Sequence, residues 1–277
     1  MIGENEGEQV ERPQPSLRTL AAAYERDGFI SPVAIISQTE ALEHRRRLEA
    51  AEAKIGPLHY KTKVHTILRS AYELATHPNV LDVVEALLGP NILLHNVTYI
   101  VKEPGSKSHV SWHQDLTYWG FNSDDQVSLW LALSPATEES GCMRMIAGSH
   151  TQGMVRHETT QDETNVLLQG QTVRDVHEEN SILCPLSPGE ASFHHGWTLH
   201  ASMPNRSADR RIGLNVQYFA THVRQVKAVR DSAILVRGRD DYGYYEPDIP
   251  AAADLEPSAL ARQEALERRY RETAGTS

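Results

Sequence analysis

At Asn91–Lys102, "NILLHNVTYIVK", the pattern of this 277-residue chain changes. From about residue 92 onward it reads as short strands: this one, then "SHVSWH", "QVSLWLALS", "CMRMI", "SILCPL", "EASFHH" and "RRIGLNVQYFATHV". Gly, Pro, Ser or Asp turns separate them. Seven or more short strands within about 130 residues, with no helices between them, predict a sandwich or jelly roll.

Before Asn91 the sequence reads as helices. "SLRTLAAAYERDGF" has apolar residues at helical spacing and ends near Gly28. "SQTEALEHRRRLEAAEAKIG" opens with Ser37 and Glu40 placed as a capping box and closes at Gly56. "HPNVLDVVEALLGP" has Pro78 near its start and Gly89 past its end, the usual asymmetry of a helix. The expected organisation is one domain over residues 1–277: a disordered acidic leader (1–14), a helical flank (15–90), a jelly-roll core (91–225) and a final helix (254–273). The loop over 151–180 is long for a compact domain, as lids and mobile insertions often are.

Composition narrows the function classes. A net charge of −10 argues against non-specific nucleic-acid binding. No apolar run approaches the roughly 20 residues of a membrane helix, and the leader lacks a signal peptide's apolar core. A cytoplasmic location is therefore the default expectation. Cys142 and Cys184 are the only cysteines, too few for a disulfide framework or a thiolate metal cluster.

Chemistry concentrates in two segments. In His109–Gly120, "HVSWHQDLTYWG", His113 and Asp115 lie two residues apart in a run that suits a strand, so both are expected on one face. The segment "SFHHGWTLHASMPNRSADRRIGLNVQY" adds His194, His195, His200, Arg210 and Arg211. Two histidines and one carboxylate on one face of ferrous iron leave three positions open for other ligands. His113, Asp115 and His200 fit that need. His194 and His195 compete for the distal position but read better as supporting or surface residues. Trp112 and Trp119 suit either pocket or core, and Gly141 and Gly148 suit turns and close packing.

The motifs "YERDGF", "WHQD", "LALSPATEESGCMRMIAGSH", "HHGWTLHASMPNRS" and "DRRIG" resemble the phytanoyl-CoA dioxygenase family of iron(II)- and 2-oxoglutarate-dependent oxygenases, over roughly residues 16 to 240. The resemblance implies a double-stranded β-helix, a cupin-like jelly roll flanked by helices. It implies Fe(II) on His113, Asp115 and His200, with 2-oxoglutarate and O2 as cosubstrates. It gives Arg211, eleven positions after His200, the distal carboxylate of 2-oxoglutarate, with Ser202 as a second contact. Arg210 then faces the other way.

The implied reaction is hydroxylation of an unactivated C–H bond of a small-molecule substrate, with release of succinate and CO2. Lys61, Lys63, Lys102, Lys107, His109, Tyr118, Arg210 and Arg237 suggest a polar substrate such as an amino acid, an aminoalkylphosphonate or a similar zwitterion. Asp124, Asp125 or Glu138 would then take its ammonium group. Natural-product or acyl-CoA substrates are the alternative. A metal-dependent hydrolase and a non-catalytic binding protein on the same fold are the other readings; the first leaves Arg211 without a task, and an intact triad with its arginine argues against the second. No oligomeric state is legible.

Overall fold

The computed structural model describes residues 15–167, 170–227 and 231–275, so the leader expected over residues 1–14 lies outside the described residues. The helical half comprises α1 (Leu17–Asp27), β1 (Phe29–Ala34), α2 (Gln38–Ile55), α3 (Arg69–Ala75) and α4 (Pro78–Leu88). Then come β2 (Ile92–Lys102), β3 (Val110–His113), the one-turn α5 (Leu116–Trp119), β4 (Gln126–Ala132) and β5 (Met143–Ile146). The long loop carries the two-residue strands β6 (Glu158–Thr159) and β7 (Gln171–Thr172). Next are β8 (Ser181–Cys184), β9 (Glu190–His195), β10 (His200–Ser202) and β11 (Arg211–Ala220). β12 (Ser232–Arg237), β13 (Glu246–Pro247) and α6 (Pro257–Gly275) complete the chain order.

The helix signals act as read. Ser37 and Glu40 form a reciprocal capping box at the start of α2. Ser16 caps α1, whose end is closed by Gly28 at φ 80°. Pro78 opens α4 and Gly89 follows it.

The strands form a seven-stranded sheet, β1-β9-β4-β11-β2-β12-β13, and a four-stranded sheet, β3-β10-β5-β8. The two enclose a cavity to which both contribute residues, the arrangement of a cupin-like jelly roll. Alternation divides the large sheet. Ile212, Leu214, Val216 and Tyr218 of β11, with Val97, Tyr99 and Val101 of β2, join a core built with Leu20, Leu48, Ala71 and Val84 of the helices. Burying one such side chain contributes about 1.5–3 kcal/mol. The intervening residues Asn96, Thr98, Trp130, His194, Arg211, Asn215 and Gln217 line the cavity instead.

All seven strands read from the sequence are present, and others were not legible. β1 contains Pro32 and its pairing with β9 shifts register between Ile30 and Val33, so it lies irregularly at the edge of the sheet. β10 is only three residues long, yet it sits between β3 and β5. Among the described residues no helix is long and apolar enough to cross a membrane.

Candidate active site

β10 pairs with β3 so that His200 stands opposite His113, and the ring centroids are 4.0 Å apart. Asp115 arrives differently from expected. β3 ends at His113, and Asp115 has helical backbone angles (φ −60°, ψ −44°) where α5 begins. The strand is therefore too short to hold both residues on one face. The turn into α5 brings the carboxylate back: its Oδ1 lies 3.5 Å from His113 Nε2 and 3.7 Å from His200 Nε2. One donor atom from each of the three residues lies within 4.8 Å of the others, a spacing that could hold a metal ion.

Both imidazoles are oriented from behind. His113 Nδ1 lies 2.9 Å from the Ser111 carbonyl and His200 Nδ1 lies 2.9 Å from that of Thr198. A carbonyl only accepts, so each Nδ1 carries the proton and each Nε2 lone pair faces the centre. Burial, reinforced by His113 and His194, holds the His200 pKa well below the usual imidazole range, which keeps the ring neutral. Burial pushes the Asp115 carboxyl up, but the surrounding imidazoles of His113, His194 and His200 outweigh it and hold it well below the usual range. Its Oδ2 accepts from Ser128 Oγ at 2.7 Å and lies 3.1 Å from His194 Nε2. His194 thus fixes the carboxylate from outside the three-donor cluster. His195 lies elsewhere, beside Asp124, Tyr24 and His150.

Arg211 enters the same cavity as a buried cation, 1% exposed. Its Nη1 donates to the Gly141 carbonyl at 2.9 Å and its carbon Cζ lies 4.9 Å from the centroid of the Trp130 ring. Its Nε has no partner, and no carboxylate acts on it among the described residues. Burial pushes its pKa down to about 10, so it keeps its charge at neutral pH.

Two glycines build this seat. A Cβ on Gly213 would lie 2.0 Å from the Trp130 ring, so glycine is what lets the indole lie against β11. Gly141, at φ 76°, has its Cα hydrogens facing the Met203 carbonyl, 2.1 Å from where a Cβ would stand. Lys102, paired with Arg211 across β2 and β11, donates to Ser202 Oγ at 2.7 Å. Burial, then Arg211, pushes the Lys102 amine down to about 6. The structure therefore brings His113, Asp115, His200, Ser202 and Arg211 into one cavity.

Most of the other polar residues expected near the site lie elsewhere. Arg210 points away and pairs with Glu52 and Glu103. Lys61 pairs with Glu267, and Arg237 pairs with Asp82 and Glu85. Lys63 is buried against Asp248, about 180 positions away in sequence, which no local pattern signals. His109 lies 3.7 Å from Asp162, Asp125 pairs with His222, and neither Asp124, Glu138 nor Lys107 lines the cavity. Tyr118 does line it, as do Trp119 and Trp130, whereas Trp112 packs beneath Arg144. From the 151–180 loop, Val166 and Leu167 reach the cavity. Residues the sequence did not flag also line it: Tyr60, Thr62, Asn96, Thr98, Gln217 and Tyr270. For those of β2 and β11, alternation against the apolar face was the available signal.

A jelly roll whose cavity brings two histidines and one carboxylate within reach of one metal ion has the donor arrangement of non-haem iron proteins. The profile of the phytanoyl-CoA dioxygenase (PhyH) family matches residues 24–213, and the chain belongs to that family. It is 28% identical over 184 residues to the probable alpha-ketoglutarate-dependent hypophosphite dioxygenase of Stutzerimonas stutzeri, covering 66% of this chain and 60% of that relative. It is 25% identical over 222 residues to the peroxisomal phytanoyl-CoA dioxygenase of Bos taurus, covering 70% and 66% of the two chains. Among solved structures it is similar to the non-haem monooxygenase ThoJ in its apo form. That match has a TM-score of 0.81 and 28% identity, over 92% of this chain and 97% of that one.

Proposed function

We propose that the protein is an iron(II)- and 2-oxoglutarate-dependent dioxygenase that hydroxylates a small molecule. The observation that carries this reading is the buried, unpaired Arg211 in the same cavity as three convergent metal donors. A hydrolase needs no such cation, and burying one without a partner is costly.

His113, Asp115 and His200 would hold iron(II), with Nε2 lone pairs and an ionised carboxylate as a hard, oxygen- and nitrogen-rich donor set. Bound there with 2-oxoglutarate and O2, the iron supplies the oxidising power: one oxygen atom goes to the substrate C–H bond and the other to succinate, with loss of CO2. The chain's own residues do the rest. Arg211 binds the distal carboxylate of 2-oxoglutarate through its planar fork, braced by Gly141 and Trp130. Lys102 donates to Ser202 Oγ, leaving the serine hydroxyl proton free for the same carboxylate. Ser128 and His194 keep Asp115 in place.

Iron content tests the ligand assignment. His200→Ala and His113→Ala are expected to lose iron and turnover while remaining folded, whereas His194→Ala retains bound iron. Loss of iron from His194→Ala with His200→Ala still loaded would contradict the assignment.

A further inference from the structure

Besides the three convergent donors and Arg211, the cavity has a second set of polar lining residues. Thr62 comes from the loop before α3, Asn96 from β2, Gln217 from β11, Tyr118 from α5 and Tyr270 from α6. All are neutral. Apart from Asp115, no carboxylate lines the cavity among the described residues. Its other charged lining residues are Arg211 and Arg271, which donates to Glu267 at 2.7 Å and is largely exposed. Ile100, Val110, Val166, Leu167 and Trp119 supply apolar walls.

Three polar atoms in this set lack partners: the hydroxyl of Thr62, a residue only 7% exposed, that of Tyr118, and Oε1 of Gln217. The Tyr270 hydroxyl faces Gln217 and Trp119, and burial pushes its pKa up to about 12, so it is a neutral hydrogen-bonding group at physiological pH. Tyr60 adjoins Tyr270 with its backbone in the left-handed region at φ 57°, a conformation uncommon for an aromatic residue and frequent where a side chain must be aimed at a site. The segment is held in place, since the Thr62 carbonyl accepts from Gln263 of α6 at 2.7 Å and Lys61 pairs with Glu267. The family match stops at residue 213, so Gln217 and Tyr270 lie beyond it.

We propose that these neutral residues read the substrate, with Tyr270 of the C-terminal helix as a specificity-determining residue, and that the buried part of the substrate is uncharged. It carries a hydroxyl, carbonyl or amide on a largely apolar skeleton. A buried ammonium would find no carboxylate among the described lining residues other than Asp115, the proposed metal ligand, and a phosphonate no cation other than Arg211, which 2-oxoglutarate requires, and the exposed Arg271 already paired with Glu267. The zwitterionic substrates suggested by sequence are thereby disfavoured. This inference rests on the hydroxylase reading.

The test uses the full-length chain loaded anaerobically with iron(II) and 2-oxoglutarate. Absence of the weak visible charge-transfer band at this stage would sink the hydroxylase reading, and with it this one. With the band present, cyclic ketones, lactones and N-acyl amino-acid amides are compared with free amino acids and aminoalkylphosphonates. Shifts of the band and stimulated succinate release are scored. Neutral compounds alone are expected to respond. With a responding compound, Tyr270→Phe and Thr62→Val each raise its half-saturating concentration about fivefold, the effect of one lost hydrogen bond. The 2-oxoglutarate requirement and the band stay unchanged. Response to charged compounds only, response to none of the neutral ones, or variants that leave substrate saturation unaltered would overturn the proposal.

Discussion

Along β11, Ile212, Leu214, Val216 and Tyr218 face the helices, while Arg211, Gly213, Asn215 and Gln217 face the cavity. The two sets share one backbone and one hydrogen-bond ladder to β2 and β4, yet different physics governs them. On the helix side each residue contributes by removing apolar area from water, and residues of similar shape are nearly interchangeable. On the cavity side each residue answers to a particular neighbour: Arg211 to the Gly141 carbonyl and the Trp130 ring, Gly213 to the same ring, Gln217 to Tyr270. One face holds the fold together. The other bears polar groups that cost stability to bury and are of use only with a ligand present.

The comparison predicts separable defects. Arg211→Ala should raise the 2-oxoglutarate requirement by the equivalent of about 2–5 kcal/mol, the usual effect of removing one partner of a buried charge pair, without lowering the melting temperature. Leu214→Ala, three residues on and on the other face, should cost about 2–5 kcal/mol of stability and leave cosubstrate affinity intact. Denaturant unfolding and 2-oxoglutarate titration of both variants check this, and matching profiles would dissolve the distinction. Arg210→Ala breaks only partly exposed ion pairs and should change either quantity little.

Gly213→Ala is the position where the two faces interfere. The added methyl overlaps Trp130, so a stability loss of about 1–3 kcal/mol should accompany weaker 2-oxoglutarate binding as the indole leaves Arg211. Unchanged cosubstrate affinity in this variant would mean that Trp130 does not position the guanidinium.

The last effect expected is a pH effect. Burial, then the field of Arg211, lowers the His59 pKa to about 4, and its Nδ1 accepts from the Val101 amide at 3.0 Å. The unfolded chain takes up this proton near pH 6.5, before the folded one does, so the contribution is complete above about 6.5 and declines as pH falls toward 4. Melting temperature should fall over that window, less steeply in His59→Asn, which retains an acceptor. Parallel curves for the two proteins would assign the slope to other groups.

Much of this organisation was legible in the sequence because it is local or periodic. The capping box of α2, the seven strands and the spacing of His200 and Arg211 each depend on residues near one another in the chain. Asp115 was assigned to the correct cluster by its type and spacing but to the wrong backbone, since the turn into α5 follows no alternation. The neutral lining residues were not legible. Tyr270 meets Gln217 only because α6 packs back against α5 and the segment around Thr62, and Lys63 finds Asp248 across most of the barrel's sequence. Charges read as pocket lining were in fact paired elsewhere, as most charged side chains are.

The most direct test of the central claim is an anaerobic titration of 2-oxoglutarate into the iron(II)-loaded protein, followed in the visible range. The unmodified chain should develop a weak charge-transfer band that saturates with one cosubstrate per iron, and Arg211→Ala should reach the same band only at far higher 2-oxoglutarate. An iron-loaded protein that shows no band at saturating 2-oxoglutarate, or an Arg211→Ala titration that overlays the unmodified one, would contradict the assignment of this cavity face to iron and 2-oxoglutarate.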